Sequence, residues 1–239
     1  MTTDPYVAYC GPAPVPAEIA LAWNLDPPLL AGLALFAAAV AWRPSAAGWS
    51  ALGLMVLIFV SPLCALTAAL FSARVVHHVV LIAGVAPLIV LAFPPKGPGR
   101  LPLPLLVMLH AAIVWAWHAP GAYSWALVSV SGYWLMQVTL LASAWALWRA
   151  VLMAPDRPIA GLTALIATVG QMGMLGALLT FAPEPLYLVH FATTAPWGLS
   201  PLADQQLGGL IMWAPALLPY LAAALLAGRR ILEPGAAGR

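Results

Sequence analysis

The chain has 239 residues, of which 64% are hydrophobic and only 7% are charged, and its formal net charge is +2. Soluble domains usually carry about 25% charged residues. This composition therefore excludes a water-soluble fold and indicates a protein for which the lipid bilayer is the solvent. The small net charge and the lack of a basic run argue against nucleic acid as a partner.

Seven apolar segments are long enough, or nearly so, to cross the membrane, which takes about 20 helical residues. The stretch 47–93 has room for two of them and divides near Arg74, its only charged residue. The predicted spans are 28–42, 47–71, 74–93, 103–117, 123–148, 159–181 and 207–227. We therefore predict an all-α polytopic membrane protein whose seven transmembrane helices form a single domain over 1–239.

The charges give this bundle an orientation. With seven spans, eight of the nine basic residues fall on one side, and only Arg74 falls on the other. Those eight are Arg43, Lys96, Arg100, Arg149, Arg157, Arg229, Arg230 and Arg239, whereas Asp4, Glu18, Asp26, Glu184 and Asp204 fall on the opposite side. Basic loops stay in the cytoplasm. This predicts an amino terminus outside, a carboxyl terminus in the cytoplasm, an extracytoplasmic segment over 1–27 and an extracytoplasmic loop over 182–206.

Most of the histidines gather towards the predicted outer side. His77 and His78 lie early in the third span, His118 ends the fourth, and Met212 lies about two turns inside the seventh. Neutral imidazole and thioether sulfur are good ligands for copper, and methionine favours Cu(I). The same side chains also serve as interfacial anchors or bond neighbouring helices. His110, alone near mid-membrane, fits such a packing or hydrogen-bonding role better than a metal site.

Arg74 lies one turn before the histidine pair. A guanidinium there would disfavour protonated imidazoles and would also repel a bound cation. The sequence favours an Arg74 side chain that snorkels to the outer interface or pairs with Asp204 or Glu184.

Two further features bear on function. Cys10 and Cys64 both fall on the outer side, and the sequence is compatible either with a disulfide between them or with two separate thiols. No Ser-His-Asp, phosphate-loop or zinc-protease motif is present, so we do not expect an enzyme.

Several strings then stand together along the chain: YCGPAPVP, WNLDP, FSARVVHHVVLIAGVAPLIVLAFP, WAWHAP and PWGLSPLADQQLGGLIMW. The set resembles the bacterial CtaG-type assembly factors of haem–copper cytochrome c oxidase, and DQQLGGLIMW is its most specific part. The resemblance implies a multi-pass protein of the bacterial inner membrane that assists copper delivery to the catalytic subunit of the oxidase. Its implied partners are that subunit, a periplasmic copper chaperone and membrane lipid.

The family motifs are only partly kept. The third-helix motif typically reads F-S-x-H-M-x-Q-H, and here Arg74 replaces its first histidine while His77 takes the glutamine position. A histidine pair often found in helix five is missing. The matching positions are Phe71, Ser72 and His78 in helix three, Trp117, His118 and Pro120 after helix four, and Asp204, Gln205, Gln206, Met212 and Trp213 in helix seven.

Three functional hypotheses remain open at this point. The first is an assembly factor that binds Cu(I) transiently through His78 and His118, with Met212 and His77 as secondary ligands and with Asp204 and Gln205 holding the outer loop. The second is a transporter of copper or a small solute. The third is a membrane protein that binds haem between two histidines.

Overall fold

A computed structural model describes residues 8–97, 99, 101–153 and 157–232, with side chains to residue 225. Every regular element in this part of the chain is helical. Asp4, Arg100 and Arg239 lie outside the described residues, and so do the side chains of Arg229 and Arg230. Their predicted sides of the membrane therefore stay predictions.

The described part of the chain forms eleven α-helices, and a π-helical segment, Val80–Val85, joins the fourth to the fifth. They are α1 Pro27–Trp42, α2 Ala46–Phe59, α3 Pro62–Ala69, α4 Phe71–Val79, α5 Ala86–Ala92, α6 Leu103–His118, α7 Pro120–Val128, α8 Val130–Leu152, α9 Pro158–Phe181, α10 Pro201–Trp213 and α11 Leu217–Leu232.

Four stretches are long and apolar enough to cross a membrane: Phe71–Ala92, Val130–Leu152, Pro158–Phe181 and Pro201–Leu225. Two bent pairs pass the same criterion together, α2 with α3 at 45° and α6 with α7 at 72°. The apolar helix α1 is shorter, with 16 residues. The all-α membrane architecture is thus confirmed with four to six candidate spans, whereas the count of seven and the orientation stay predictions.

Two predicted spans begin at different residues from those observed. The fifth begins at Val130 rather than near 123, because Ser129 accepts a hydrogen bond from the Gly132 amide and caps α8. The seventh begins at Pro201 rather than at 207, because Ser200 caps α10 in the same way. The last six residues of the predicted loop 182–206 are therefore helical.

Residues 8–26 and 182–200 cover one end of the bundle, which we call the disulfide end. A Cys10–Cys64 disulfide lies there and answers the question that the sequence left open. Tyr9 stacks on Tyr133 with ring centres 4.6 Å apart, and the Trp197 indole donates to the Pro14 carbonyl at 3.1 Å. We call the opposite end, with Arg43, Lys96, Arg149 and Arg157, the basic end.

Two glycines let α10 pack closely between α4 and α9. A β-carbon added to Gly208 would lie 2.7 Å from the Phe71 ring, and one added to Gly209 would lie 2.6 Å from the Gly176 carbonyl oxygen. Small residues at such contacts allow membrane helices to approach closely. The GG of the DQQLGGLIMW string thus brings Asp204, one turn earlier, up against the start of α4.

Candidate functional site

Helix α4 carries Arg74, His77 and His78, and all three side chains are buried. The Asp204 carboxylate fixes the start of this helix. It accepts hydrogen bonds from the Phe71 amide at 2.6 Å, from the Ser72 amide at 3.1 Å and from the Ser72 hydroxyl. The first amides of a helix lack partners within the helix, and a negative charge there is favourable. Asp204 therefore holds α4 rather than the outer loop.

The three polar and aromatic neighbours of Asp204 in the motif differ in their surroundings. Gln205 accepts from the Leu186 amide at 2.6 Å and donates to the Leu179 carbonyl at 3.2 Å, so it ties the 182–200 segment to α9. Gln206 is half-buried. Trp213 is 42% exposed and meets Phe181 edge to face, with ring centres 6.1 Å apart. Only Gln205 has the loop-holding contact that the sequence suggested.

The structure brings His78 on α4 and His118 at the end of α6 together, with ring centres 5.9 Å apart. His77 lies 5.8 Å from His78 by the same measure. An imidazole nitrogen about 2 Å from a metal puts its ring centre about 3 Å from that metal. Two imidazoles on one ion therefore have ring centres at most about 6 Å apart, and the His78–His118 spacing meets this condition.

The hydrogen bonds of His118 leave it ready to bind a ligand. Its Nδ1 lies 2.7 Å from the Val114 carbonyl oxygen, which only accepts, so Nδ1 carries the proton. The lone pair of the neutral ring is then on Nε2. Neither ring nitrogen of His78 has a hydrogen-bond partner among the described residues. Buried polar groups are normally satisfied, so these nitrogens call for a ligand or water.

Met212 on α10 faces Gly176 of α9, where an added β-carbon would lie 3.5 Å from the Met212 β-carbon, and no contact among the described residues joins Met212 to His78 or His118. Helices α4 and α10 both start at the disulfide end, where Asp204 meets Phe71, and Gly208 contacts Phe71 and Val75. Met212 is one turn further along α10 and is buried. In the part of the chain that the structure describes, no group of three or more His, Cys, Asp or Glu side chains is arranged to hold a metal. Of the predicted ligands, the structure brings only the His78 and His118 imidazoles together as a candidate metal site.

Arg74 neither snorkels nor pairs with a carboxylate, so the expectation for this residue is wrong. Its side chain is 2% exposed, and the described residues give it no ion-pair partner. Its guanidinium lies over the Tyr133 ring at 5.4 Å and near the Tyr123 hydroxyl. Nε and Nη1 make no hydrogen bond to described residues. A buried charge without a counter-charge costs several kcal/mol.

An aromatic layer over the histidines is the part of the site that the sequence did not reveal. Phe71 stacks on Tyr187 at 4.1 Å, and the Tyr187 hydroxyl donates to the His118 carbonyl at 2.8 Å. The Tyr123 hydroxyl lies 2.7 Å from His190 Nε2. Burial, with a smaller effect of the nearby Arg74 charge, lowers the pKa of His190 to about 4. This loop histidine is therefore neutral near neutral pH.

His110 has the ordinary structural role expected for it. Its Nδ1 lies 2.9 Å from the Ser143 hydroxyl on α8, deep in the bundle. It does not join the His78–His118 pair.

The fold and the site define a helical membrane protein with a buried histidine pair near one end. The family model for the cytochrome c oxidase caa3 assembly factors (Caa3_CtaG) matches residues 101–233, more than half of the chain, and the chain belongs to this family. The matched region contains His118, Asp204 and Met212, whereas α4 with His77 and His78 precedes it. Searches of curated proteins and of solved structures found no match.

Proposed function

We propose that this protein assists the assembly of a cytochrome c oxidase in the bacterial inner membrane by presenting Cu(I) to the catalytic subunit at the outer side. Membership of the assembly-factor family supports the role in the oxidase. The observation that carries the copper role is the approach of His78 and His118 to a ring separation of 5.9 Å.

The ligand set suits transfer better than permanent storage. Cu(I) accepts imidazole and thioether ligands, and two imidazoles, even with Met212 as a third ligand, leave the metal short of a closed set of four strong ligands. His118 is already oriented, because the Val114 carbonyl holds its Nδ1 proton and directs the Nε2 lone pair away from its own helix. An incoming ligand from the oxidase can then displace one of these groups.

The disulfide supports the proposed side of action. Disulfides persist in oxidising compartments such as the periplasm, and Cys10–Cys64 lies at the same end of the bundle as the aromatic layer over His118. The basic residues at the opposite end fit a cytoplasmic surface. A periplasmic copper chaperone would then reach the site from the disulfide end.

The direct test measures Cu(I) bound by the purified protein, with ascorbate as reductant so that the disulfide stays intact. We expect about one Cu(I) per chain in the wild type and a large loss in His78→Ala and in His118→Ala. His110→Gln is the matched control, since His110 is buried but bonded to Ser143, and it should bind copper like the wild type. Negligible copper in the wild type would reject the copper role, and a Soret band would replace it with haem binding.

A cellular test separates the role in the oxidase from the copper chemistry. Deletion of the protein should lower cytochrome c oxidase activity, and added copper should restore part of it. The His118→Ala chain should fail to complement the deletion, whereas His110→Gln should complement it. Full oxidase activity in the deletion strain would contradict the assembly role.

A further inference from the structure

Arg74 and His77 present a group of unsatisfied polar atoms within one turn of α4, and the donors among them are Arg74 Nε and Nη1 and one ring nitrogen of His77. Nε and Nη1 of Arg74 and both ring nitrogens of His77 make no hydrogen bond to described residues, although the Ile58 backbone lies near His77. Both side chains are at least 98% buried. The Asp204 carboxylate, which lies at the start of the same helix, is committed to Phe71 and Ser72. The group therefore lacks a negative partner from the described chain.

The chemistry of the two side chains defines what would satisfy them. A guanidinium stays charged in proteins, so Arg74 cannot relieve its burial by losing a proton. Water would accept hydrogen bonds from Nε and Nη1 but would leave the charge uncompensated. Intramembrane charges face a partner or a polar cavity. A ligand with one negative charge and compact acceptor atoms meets both requirements.

We propose that Arg74 and His77 bind one small monovalent anion, such as chloride. A second part rests on the proposed copper function: the bound anion favours entry of Cu(I) into the His78–His118 pair. With the anion in place, Cu(I) raises the charge of the cluster from 0 to +1 rather than from +1 to +2, because the anion offsets the Arg74 charge that would otherwise repel the cation. This accounts for an arginine placed one turn from a pair of candidate copper ligands.

The anion site is tested first on copper-free protein. Chloride replaces gluconate at constant ionic strength while the midpoint of thermal unfolding is measured. A ligand that binds only the folded state raises this midpoint, so we expect a rise of several degrees with chloride or bromide and none with sulfate, which is larger and divalent. Arg74→Gln should abolish the rise, and Arg43→Gln, at an exposed arginine of the basic end, should keep it.

The wild-type titration decides the proposal even if Arg74→Gln fails to fold. Equal midpoints in chloride, bromide and gluconate would overturn the anion site, as would an equal rise in Arg74→Gln. The copper arm then compares Cu(I) affinity in chloride and in gluconate, where we expect about tenfold tighter binding with chloride. Equal affinity would overturn the coupling. Anion binding without any copper binding would overturn the proposed function and leave the anion site in place.

Discussion

The two ends of the bundle are held together by different forces. At the disulfide end, bonds between residues far apart in sequence dominate: Asp204 with the start of α4, Gln205 with Leu186, Tyr123 with His190, and the disulfide. Towards the basic end, such bonds are fewer among the described residues: the Trp148 ring stacks on Tyr220 at 5.1 Å, and its indole donates to the Ile82 carbonyl at 2.8 Å. Polar bonds with defined directions fix side-chain positions more tightly than apolar contacts do. The side chains around the histidine pair are therefore held in more closely defined positions than those near the basic end.

The largest effect should come from Asp204→Ala. The substitution leaves two buried amides and one hydroxyl at the start of α4 without their acceptor, and we expect a loss of about 3–5 kcal/mol in unfolding free energy. The measurement is the unfolding midpoint in detergent, together with the amount of folded protein in the membrane. Glu184→Ala, at an exposed carboxylate of the same end, should have little effect. Similar loss in both variants would contradict the special role of Asp204.

Removal of the disulfide should come next. The bond closes a sequence separation of 54 residues, and such cross-links contribute about 2–4 kcal/mol by restricting the unfolded chain. Cys10→Ser with Cys64→Ser should lower the unfolding free energy by that amount, which a lower unfolding midpoint would report. It should also expose residues 8–26 to protease. If the loss of the disulfide increased hydrogen exchange near Trp148 as much as near Tyr9, the disulfide would not act mainly on its own end of the bundle.

Protonation of His190, at the disulfide end, should change the unfolding free energy by less than loss of the disulfide does. Since the pKa of His190 is held at about 4 in the fold, the unfolded chain takes up a proton below its ordinary value of about 6.5 while the folded chain does not. Stability is therefore full above about pH 6.5 and falls as the pH decreases, by about 1–2 kcal/mol between about pH 7 and pH 5.

The control for this prediction is His190→Gln, which keeps a polar side chain at the position but does not titrate. Unfolding midpoints of the two chains across the same pH range give the contribution of His190. An equal slope in both chains would assign the acid sensitivity to other groups.

The smallest effect should come from the interior, away from the disulfide end. Ser143→Ala removes the partner of His110, and the loss should be about 1 kcal/mol, the usual size for one neutral hydrogen bond. The unfolding midpoint measures it, and copper binding should not change. A loss as large as that of Asp204→Ala would remove the contrast between the two regions.

The sequence predicted the helical membrane architecture well, because the length and apolarity of a span are local properties. It placed the bounds of the fourth and sixth spans within a residue of α6 and α9. It missed the starts of α8 and α10, which are set by serine caps. Ser129 lies inside the predicted apolar span 123–148, and Ser200 lies inside the predicted loop 182–206.

The site was predictable only in part. The histidines and the DQQLGGLIMW string were visible as residue types and as a family resemblance. The burial of Arg74 and the aromatic layer of Tyr123 and Tyr187 were not, since both follow from contacts between segments far apart in sequence. Arg74 was expected to reach the outer interface or to pair with Asp204 or Glu184, because a lone charge near a span end usually finds water or a counter-charge. The amino-terminal segment anchored by Cys10 adds a cover that periodicity does not reveal.

The cap that Asp204 supplies has a consequence for how the protein is made. A ribosome delivers α4 to the membrane 132 residues before the carboxylate that completes its first turn. A nascent chain that has inserted only the earlier helices consequently holds His77 and His78 on a helix with an unsecured start, and the site proposed for copper is complete only once the last helices insert. On that proposal, capture of metal by half-synthesised chains is disfavoured.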